Sequence, residues 1–207
     1  ADPAAYARIA AAVEEIEARL AELAALDAPR VDDLRGQLLS VEGRAAQRYW
    51  EEVQALVAGT VAFPGREHRG AEDPLNAMLN YGYGVLYTQA WGALLLAGLE
   101  PFAGFLHVDR PGKPSLMLDF AEEFRQAVVD RPLLALLTRG WTPRLEEGRL
   151  SEEARREVAR AVLERLEAQE TYDGKRHRLK TILHLQARRM ASFLRGEGRY
   201  RPFVAAW

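Results

Sequence analysis

With 207 residues and 48% hydrophobic content, the chain is long enough for one large domain or two small ones and can bury a sizeable core. It has no cysteine, which excludes a disulfide framework, a zinc-thiolate site and a cysteine nucleophile, so any metal must be held by oxygen or imidazole ligands. The formal net charge of -2 hides an asymmetry: residues 171–207 hold 9 Lys/Arg against 2 Asp/Glu, net +7, and the rest of the chain carries -9. A basic terminal segment of that kind suits a polyanion partner, and equally a solvated, helix-favouring surface.

From Pro3 to Leu26 the sequence is rich in Ala, Glu and Leu, and Ile9, Val13, Ile16, Leu20 and Leu23 recur every three or four residues, so it predicts an amphipathic helix that opens the domain. The start Ala-Asp-Pro-Ala-Ala-Tyr lacks the basic residues and short apolar run of a secretory signal, and together with the absent cysteine this fits a reducing, cytoplasmic setting. Pro29 marks a break. Asp32 or Asp33 is expected to cap a second helix running to about Val57, with Leu34, Leu38, Val41, Ala45, Tyr49 and Val53 on its buried stripe. The breakers in Phe63 to Gly70 predict a loop, and Asp73-Pro74 is a helix start that pairs a capping carboxylate with proline at the first helical position.

That third helix should end at Gly98. Its apolar core, Ala77 to Leu99, is interrupted by Asn80, Thr88, Gln89 and four glycines, and reads as a buried helix rather than a bilayer span. Three prolines and two glycines make Pro101 to Pro114 a structured connection. A helix follows from Ser115 to about Arg139, perturbed at Pro132. Two further helices, Ser151 with Glu152 to Ala168 and Lys175 to Arg195, flank Asp173-Gly174. Six helices without a convincing alternating β-branched run predict an all-α fold, a compact multi-helix bundle in one domain over residues 1–207, with residues 1–30 as leading helix and linker.

Chemistry concentrates in three places. On the Ser115 helix, Met117, Phe120, Ala121, Phe124 and Val128 form the packed stripe, leaving Asp119, Glu122 and Glu123 within about one turn on a neighbouring face. Like charges so close lie in open water, carry raised pKa values or are neutralised by a cation, and surface acids near a helix start are common in any case. His107, in the constrained connection just before that helix, suits a metal ligand, a general base or a capping side chain. Glu42 borders the apolar face of the second helix and precedes Gly43. A mid-helix glycine there, beside two alanines, points to something packing very closely; the plainer account is a surface pairing of Glu42 with Arg44. Asn76, Asn80 and Tyr87 make a polar line along the third helix that either supports a site or bonds neighbouring backbone.

Taken in order, Leu34-Arg35-Gly36, Glu42-Gly43-Arg44-Ala45-Ala46 with Tyr49-Trp50, Asp73-Pro74-Leu75-Asn76-Ala77, Asn80-Tyr81-Gly82-Tyr83, Gly98-Leu99-Glu100-Pro101, Gly104-Phe105-Leu106-His107, Arg110-Pro111-Gly112-Lys113-Pro114-Ser115-Leu116, Leu118-Asp119, Glu122-Glu123-Phe124-Arg125 and Tyr200-Arg201-Pro202-Phe203 resemble the CRISPR spacer-acquisition integrase family across nearly the whole chain. Each string is short, but their order and spacing make the combined signal strong. The resemblance implies a metal-dependent DNA endonuclease and integrase that joins spacer DNA to a repeat array by phosphodiester transesterification, with Mg2+ or Mn2+ held by Glu42, His107 and Glu122 and with Asp119 as a further active-site acid.

Within the same resemblance, Glu123 is a solvated neighbour, Asn76, Asn80 and Tyr87 support the site, and Lys113, Arg125, Lys175, Arg176, Arg178, Lys180, Arg188 and Arg189 are phosphate contacts. It implies DNA and a small ferredoxin-like subunit as partners, no membrane, and a homodimer built through an N-terminal β domain that nothing before Ala1 supplies, so that this chain is the catalytic domain alone. Two other readings compete: a catalytically silent helical module binding DNA or protein, and a helical metal hydrolase of small phosphate esters.

Overall fold

The computed structural model describes residues 3–68, 70, 72–108 and 110–205; Arg69 in the predicted loop and Asp109 in the predicted connection fall outside them. Among the described residues the chain forms seven α-helices, α1 Pro3–Ala24, α2 Val31–Val57, α3 Pro74–Leu96, α4 Ser115–Glu122, α5 Arg131–Thr138, α6 Glu152–Glu167 and α7 Leu179–Leu194, plus one π-helical turn, Arg125–Asp130. None of them is long and apolar enough to cross a membrane. The fold is all-α, as expected, apart from two small antiparallel hairpins: β1 Leu145–Glu146 with β2 Arg149–Leu150, and β3 Gln169–Tyr172 with β4 Lys175–Arg178.

α3 is the central element because it is apolar on every side, and such a helix gains stability only when surrounded. Leu75, Met78, Leu79, Leu86 and Leu94 are fully buried, and α4, α6, α7 and the π-turn pack around them. Asp73 accepts the Asn76 N–H at 2.9 Å with Pro74 next in line. At the other end the N–H groups of Gly98 and Leu99 donate to Leu95 and Leu94, closing the helix where the sequence predicts. α6 likewise starts on Ser151, whose Oγ accepts from Ala154 N.

Four expectations need correction. α2 begins at Val31 with Arg30 at the cap position and no side-chain cap; Asp32 and Asp33 fall inside the first turn, where they complement the helix dipole instead. The stretch from Ser115 to Arg139 is not one helix. Pro132 has no N–H for the Val128 carbonyl and its ring crowds that group, and just before it the backbone widens into the π-turn, whose Ala127 carbonyl accepts from Arg165 Nε of α6 at 2.9 Å. Lys175–Arg178 is a strand, not the start of the last helix, because Asp173 and Gly174 both take positive φ (51° and 73°) and reverse the chain in a two-residue hairpin. The Asp-Gly pair therefore signals a hairpin.

The fourth correction concerns Gly43. A Cβ there would meet nothing within 4 Å, so close packing does not explain the glycine. Gly43→Ala should accordingly remove a conformational entropy cost at no steric penalty and raise stability by up to about 1 kcal/mol, a rise in Tm of about 2–4 °C for a chain of this size. Differential scanning calorimetry reads it directly.

α1 packs on α2 through its small side, with Ala12 buried, while Ile9, Val13 and Leu20 of the predicted stripe are exposed. Ion pairs Arg8–Glu52 and Arg48–Glu15 tie the two helices.

Candidate metal and nucleic-acid site

The geometry starts from Asp119 on α4. One of its carboxylate oxygens accepts the backbone N–H groups of Phe105 (2.6 Å) and Leu106 (3.0 Å), and the other accepts the N–H of His107 (3.0 Å) and lies 2.6 Å from its Nδ1. A carboxylate only accepts, so Nδ1 carries a proton, and in the neutral ring the lone pair is left on Nε2. Burial alone would raise the Asp119 carboxyl, but the hydrogen bonds from His107, Phe105 and Leu106 hold it below the ordinary carboxylate range. The loop can approach this closely only because residue 104 is glycine. A Cβ there would stand 2.5 Å from Ser115 Cβ and 3.0 Å from the Asp119 carboxylate. Arg35 of α2 donates to the Phe105 carbonyl at 2.9 Å, which fastens the same loop to the second helix.

Beside this loop lies a cleft between α1, α2 and α4. Two adjoining cavities of about 520 and 240 Å3 share Ile16, Glu42, Ala45 and Glu122 as walls. The larger is floored by Leu38, Val41, Leu106 and Asp119, the smaller by Tyr49, Tyr83, Arg125 and Asp130. Glu42 does not pair with Arg44, which turns to Glu22 and Ser40. Instead, burial and then the facing Glu122 carboxylate raise the Glu42 carboxyl above its usual range, with Asp119 adding to this and His107 and Arg125 opposing it. Four expected site residues, Glu42, His107, Asp119 and Glu122, are thus gathered within electrostatic reach of one another. Among the described residues, though, no three His, Asp or Glu side chains are drawn together as a ready metal cage. Glu122 is engaged by Arg125 at 2.6 Å.

The chemistry of the donor set fits a hard divalent cation: two facing carboxylates, Glu122 helping to raise the Glu42 carboxyl, and an imidazole held at Nδ1 by its carboxylate partner.

Arg125, expected to contact DNA, is turned into the site, with its guanidinium 4.2 Å above the Tyr83 ring as well as bonded to Glu122. Tyr87 stacks along Tyr83, and burial raises its hydroxyl, with Arg125 opposing and Glu122 adding to the shift. Asn76 and Asn80 support the site indirectly by holding Arg66: their side-chain oxygens accept from its guanidinium at 2.8 and 2.7 Å, and Arg66 in turn lies over Trp50 and Tyr83.

Glu123 is not a solvated neighbour. Its carboxylate accepts from Gln186 Nε2 (2.9 Å), the Phe203 N–H (2.9 Å) and the Tyr200 hydroxyl, so it latches the C-terminal tail onto the end of α4, where Phe203 stacks on Phe124. Of the remaining expected phosphate contacts, Lys113 sits half-buried in the loop. Lys175, Arg176, Lys180 and Arg188 are exposed, while Arg178 pairs with Glu167 and Arg189 with Asp173.

Asp130, which only the nearby Pro132 hints at in the sequence, lies in the π-turn and is 1% exposed. It accepts the hydroxyls of Tyr83 (2.5 Å) and Tyr49 (3.0 Å) at the back of the smaller cavity. Burial pushes its carboxyl up to about 6 despite those two bonds and the nearby Arg125 and Arg66. Since the folded value lies above the unfolded one, Asp130 contributes stability that is complete below about pH 4 and is lost as pH rises through about 6, a swing of about 3 kcal/mol. Asp130→Asn should remove that slope, seen as a smaller fall in Tm between pH 4 and 7 than the unsubstituted chain shows.

The family model for CRISPR associated protein Cas1 matches residues 2–164. An endonuclease Cas1 of Archaeoglobus fulgidus is 42% identical over 208 residues, covering 95% of this chain and 60% of its own length. Across the curated relatives matched, the chain spans between half and three-fifths of their length. A casposase solved bound to an integration product superposes with a TM-score of 0.74 at 30% identity, covering 79% of this chain and 51% of its own. A Cas6-RT-Cas1–Cas2 complex contains a chain with a TM-score of 0.79 at 22% identity, over 95% of this chain and 22% of its own, a likeness of fold alone.

Proposed function

The chain belongs to the CRISPR-associated Cas1 family, and from that premise we propose that it is the helical domain of a divalent-metal-dependent DNA endonuclease and integrase that joins spacer DNA to a repeat array by transesterification. What supports the reading is that Glu42 of α2 and Glu122 of α4 wall the same cleft beside the Asp119–His107 pair. Glu42, Glu122 and Nε2 of His107 would hold Mg2+ or Mn2+, which when bound supplies charge stabilisation to a phosphodiester exchanging one 3'-oxygen for another. Asp119 orients His107 by holding its Nδ1–H, which in the neutral ring leaves the Nε2 lone pair for ligation or for accepting a proton from an attacking 3'-hydroxyl. Arg125 pairs with Glu122, a contact that a bound cation would compete with.

DNA and a Cas2-type subunit are the partners this reading carries. The relatives' names support it: an endonuclease, a casposase on an integration product and a Cas1–Cas2 assembly. The test is incubation with a 3'-hydroxyl oligonucleotide and a repeat-bearing duplex in Mg2+ or Mn2+. Strand cutting or joining that a chelator abolishes is the expected result. DNA binding without chemistry under any divalent ion would instead support the silent binding module.

A further inference from the structure

Arg35, Glu42 and Tyr49 stand seven residues apart on α2. Two turns of helix come within about 20° of the starting face, so the three share one stripe, with Arg35 and Tyr49 each about 10.5 Å from Glu42 along the axis. Both outer residues are bonded across to the other side of the cleft. Arg35 donates to the Phe105 carbonyl at 2.9 Å and is steadied by Asp32, one turn earlier, at 2.6 Å. The peptide it grips is the one whose N–H, on Leu106, donates to Asp119 of α4 at 3.0 Å. A single peptide plane, within two residues of His107, therefore bridges α2 to α4. On the far side of Glu42 the Tyr49 hydroxyl donates at 3.0 Å to Asp130, in the π-turn that follows α4, and Tyr83 of α3 holds the second oxygen of Asp130.

Among the described residues no other hydrogen bond or ion pair joins α2 to the segments that carry His107 and Glu122. Between these two pins lie the two cavities, so Glu42 faces its partners across open space rather than through packed side chains. Metal ligation tolerates displacements of only about 0.2 Å. A helix released at one pin and tilted by about 5° about the other would carry Glu42 about 1 Å, given the length of that arm.

We propose that Arg35 and Tyr49 are positioning residues, pinning α2 on either side of Glu42 so that its carboxylate stands at ligating distance from the cation shared with His107 and Glu122. The inference rests on the metal reading given above.

The experiment pairs calorimetric titration with Mn2+ and thermal unfolding, for the unsubstituted chain, Arg35→Met, Tyr49→Phe, the two combined, and Gln54→Met. Gln54 is the control: it donates to the Phe63 carbonyl at 2.9 Å, a third bond from α2, but neither residue lines the cleft. Phenylalanine at position 49 removes one hydroxyl and leaves Asp130 its bond from Tyr83, so that variant should stay folded even if Arg35→Met does not. Either pin variant should bind Mn2+ about 10-fold more weakly and the double variant about 100-fold, the range for groups that orient metal ligands. Gln54→Met should lower Tm by a similar amount and change Mn2+ affinity by less than about two-fold. Mn2+ affinity that follows Tm across all the variants, control included, or that is unchanged in both pin variants, would overturn this inference and leave the metal reading standing. No Mn2+ binding by the unsubstituted chain would overturn both.

Discussion

Replacing Glu42 or His107 by alanine, or Glu122 by glutamine, should lower metal-dependent strand joining by on the order of 10³-fold, the loss that follows when about 4 kcal/mol of charge stabilisation in the transition state is removed. The cleft geometry makes this a clean experiment for Glu42. The residue lies at the open edge of the cleft on α2, it has no ion-pair partner in the described structure, and its charged form is already disfavoured by partial desolvation and by Glu122, so the alanine variant should unfold no earlier than the parent. Glutamine is the better choice at 122, because its amide oxygen can still accept from Arg125, whereas alanine would leave that half-buried guanidinium without an acceptor there. The readouts are product formation in Mn2+ and Mn2+ affinity by isothermal titration calorimetry. Undiminished joining in any one of the three variants, or unchanged Mn2+ affinity in all of them, would remove the metal reading from this cleft.

The second large effect is expected at Asp119, and it differs in kind. Asp119→Ala strips acceptors from three backbone N–H groups and from the His107 ring at once. Because the loop is only partly buried, water satisfies some of these donors, and the expected loss is about 2–4 kcal/mol of stability. Asp119→Asn is gentler: the amide still accepts through one oxygen but cannot hold the three N–H groups and the imidazole together. Metal affinity should fall about 10- to 100-fold, as for other second-sphere changes, with the fold retained. Asp119→Asn that left metal affinity unchanged while destabilising the chain would make Asp119 a loop anchor with no part in orienting His107. Its role is positioning, since both of its oxygens are committed to the loop.

Much of this was legible in the residues. The start of α3 at Asp73-Pro74, its end at Gly98, the start of α6 at Ser151 and the boundary of α2 near Val57 follow from caps and periodicity, which act between residues a few positions apart. The hairpin at Asp173-Gly174 was equally local, but its strands, Gln-Glu-Thr-Tyr and Lys-Arg-His-Arg, carry a charged surface that reads as helix once the turn chemistry is overlooked. Glu123 and Asp130 were not legible. Their partners, Tyr200, Phe203 and Gln186 for one and Tyr49 and Tyr83 for the other, lie in distant segments, and a carboxylate surrounded by apolar neighbours looks the same in sequence whether it faces water or a buried hydroxyl.

The amino-acid order by itself determined where helices begin and stop, that the chain buries an apolar third helix, and, through short ordered strings, which family it joins. Only the tertiary structure decided that Asp119 serves the His107 loop, that Arg125 turns inward, that Gly43 faces open space and that Lys175, His177, Arg188 and Arg189 line one pocket beside α7. The division is physical. Capping, turns and periodicity are settled by atoms within one or two helical turns, whereas the partner of a carboxylate or a guanidinium is settled by which elements pack together, and that depends on burial summed over the whole core.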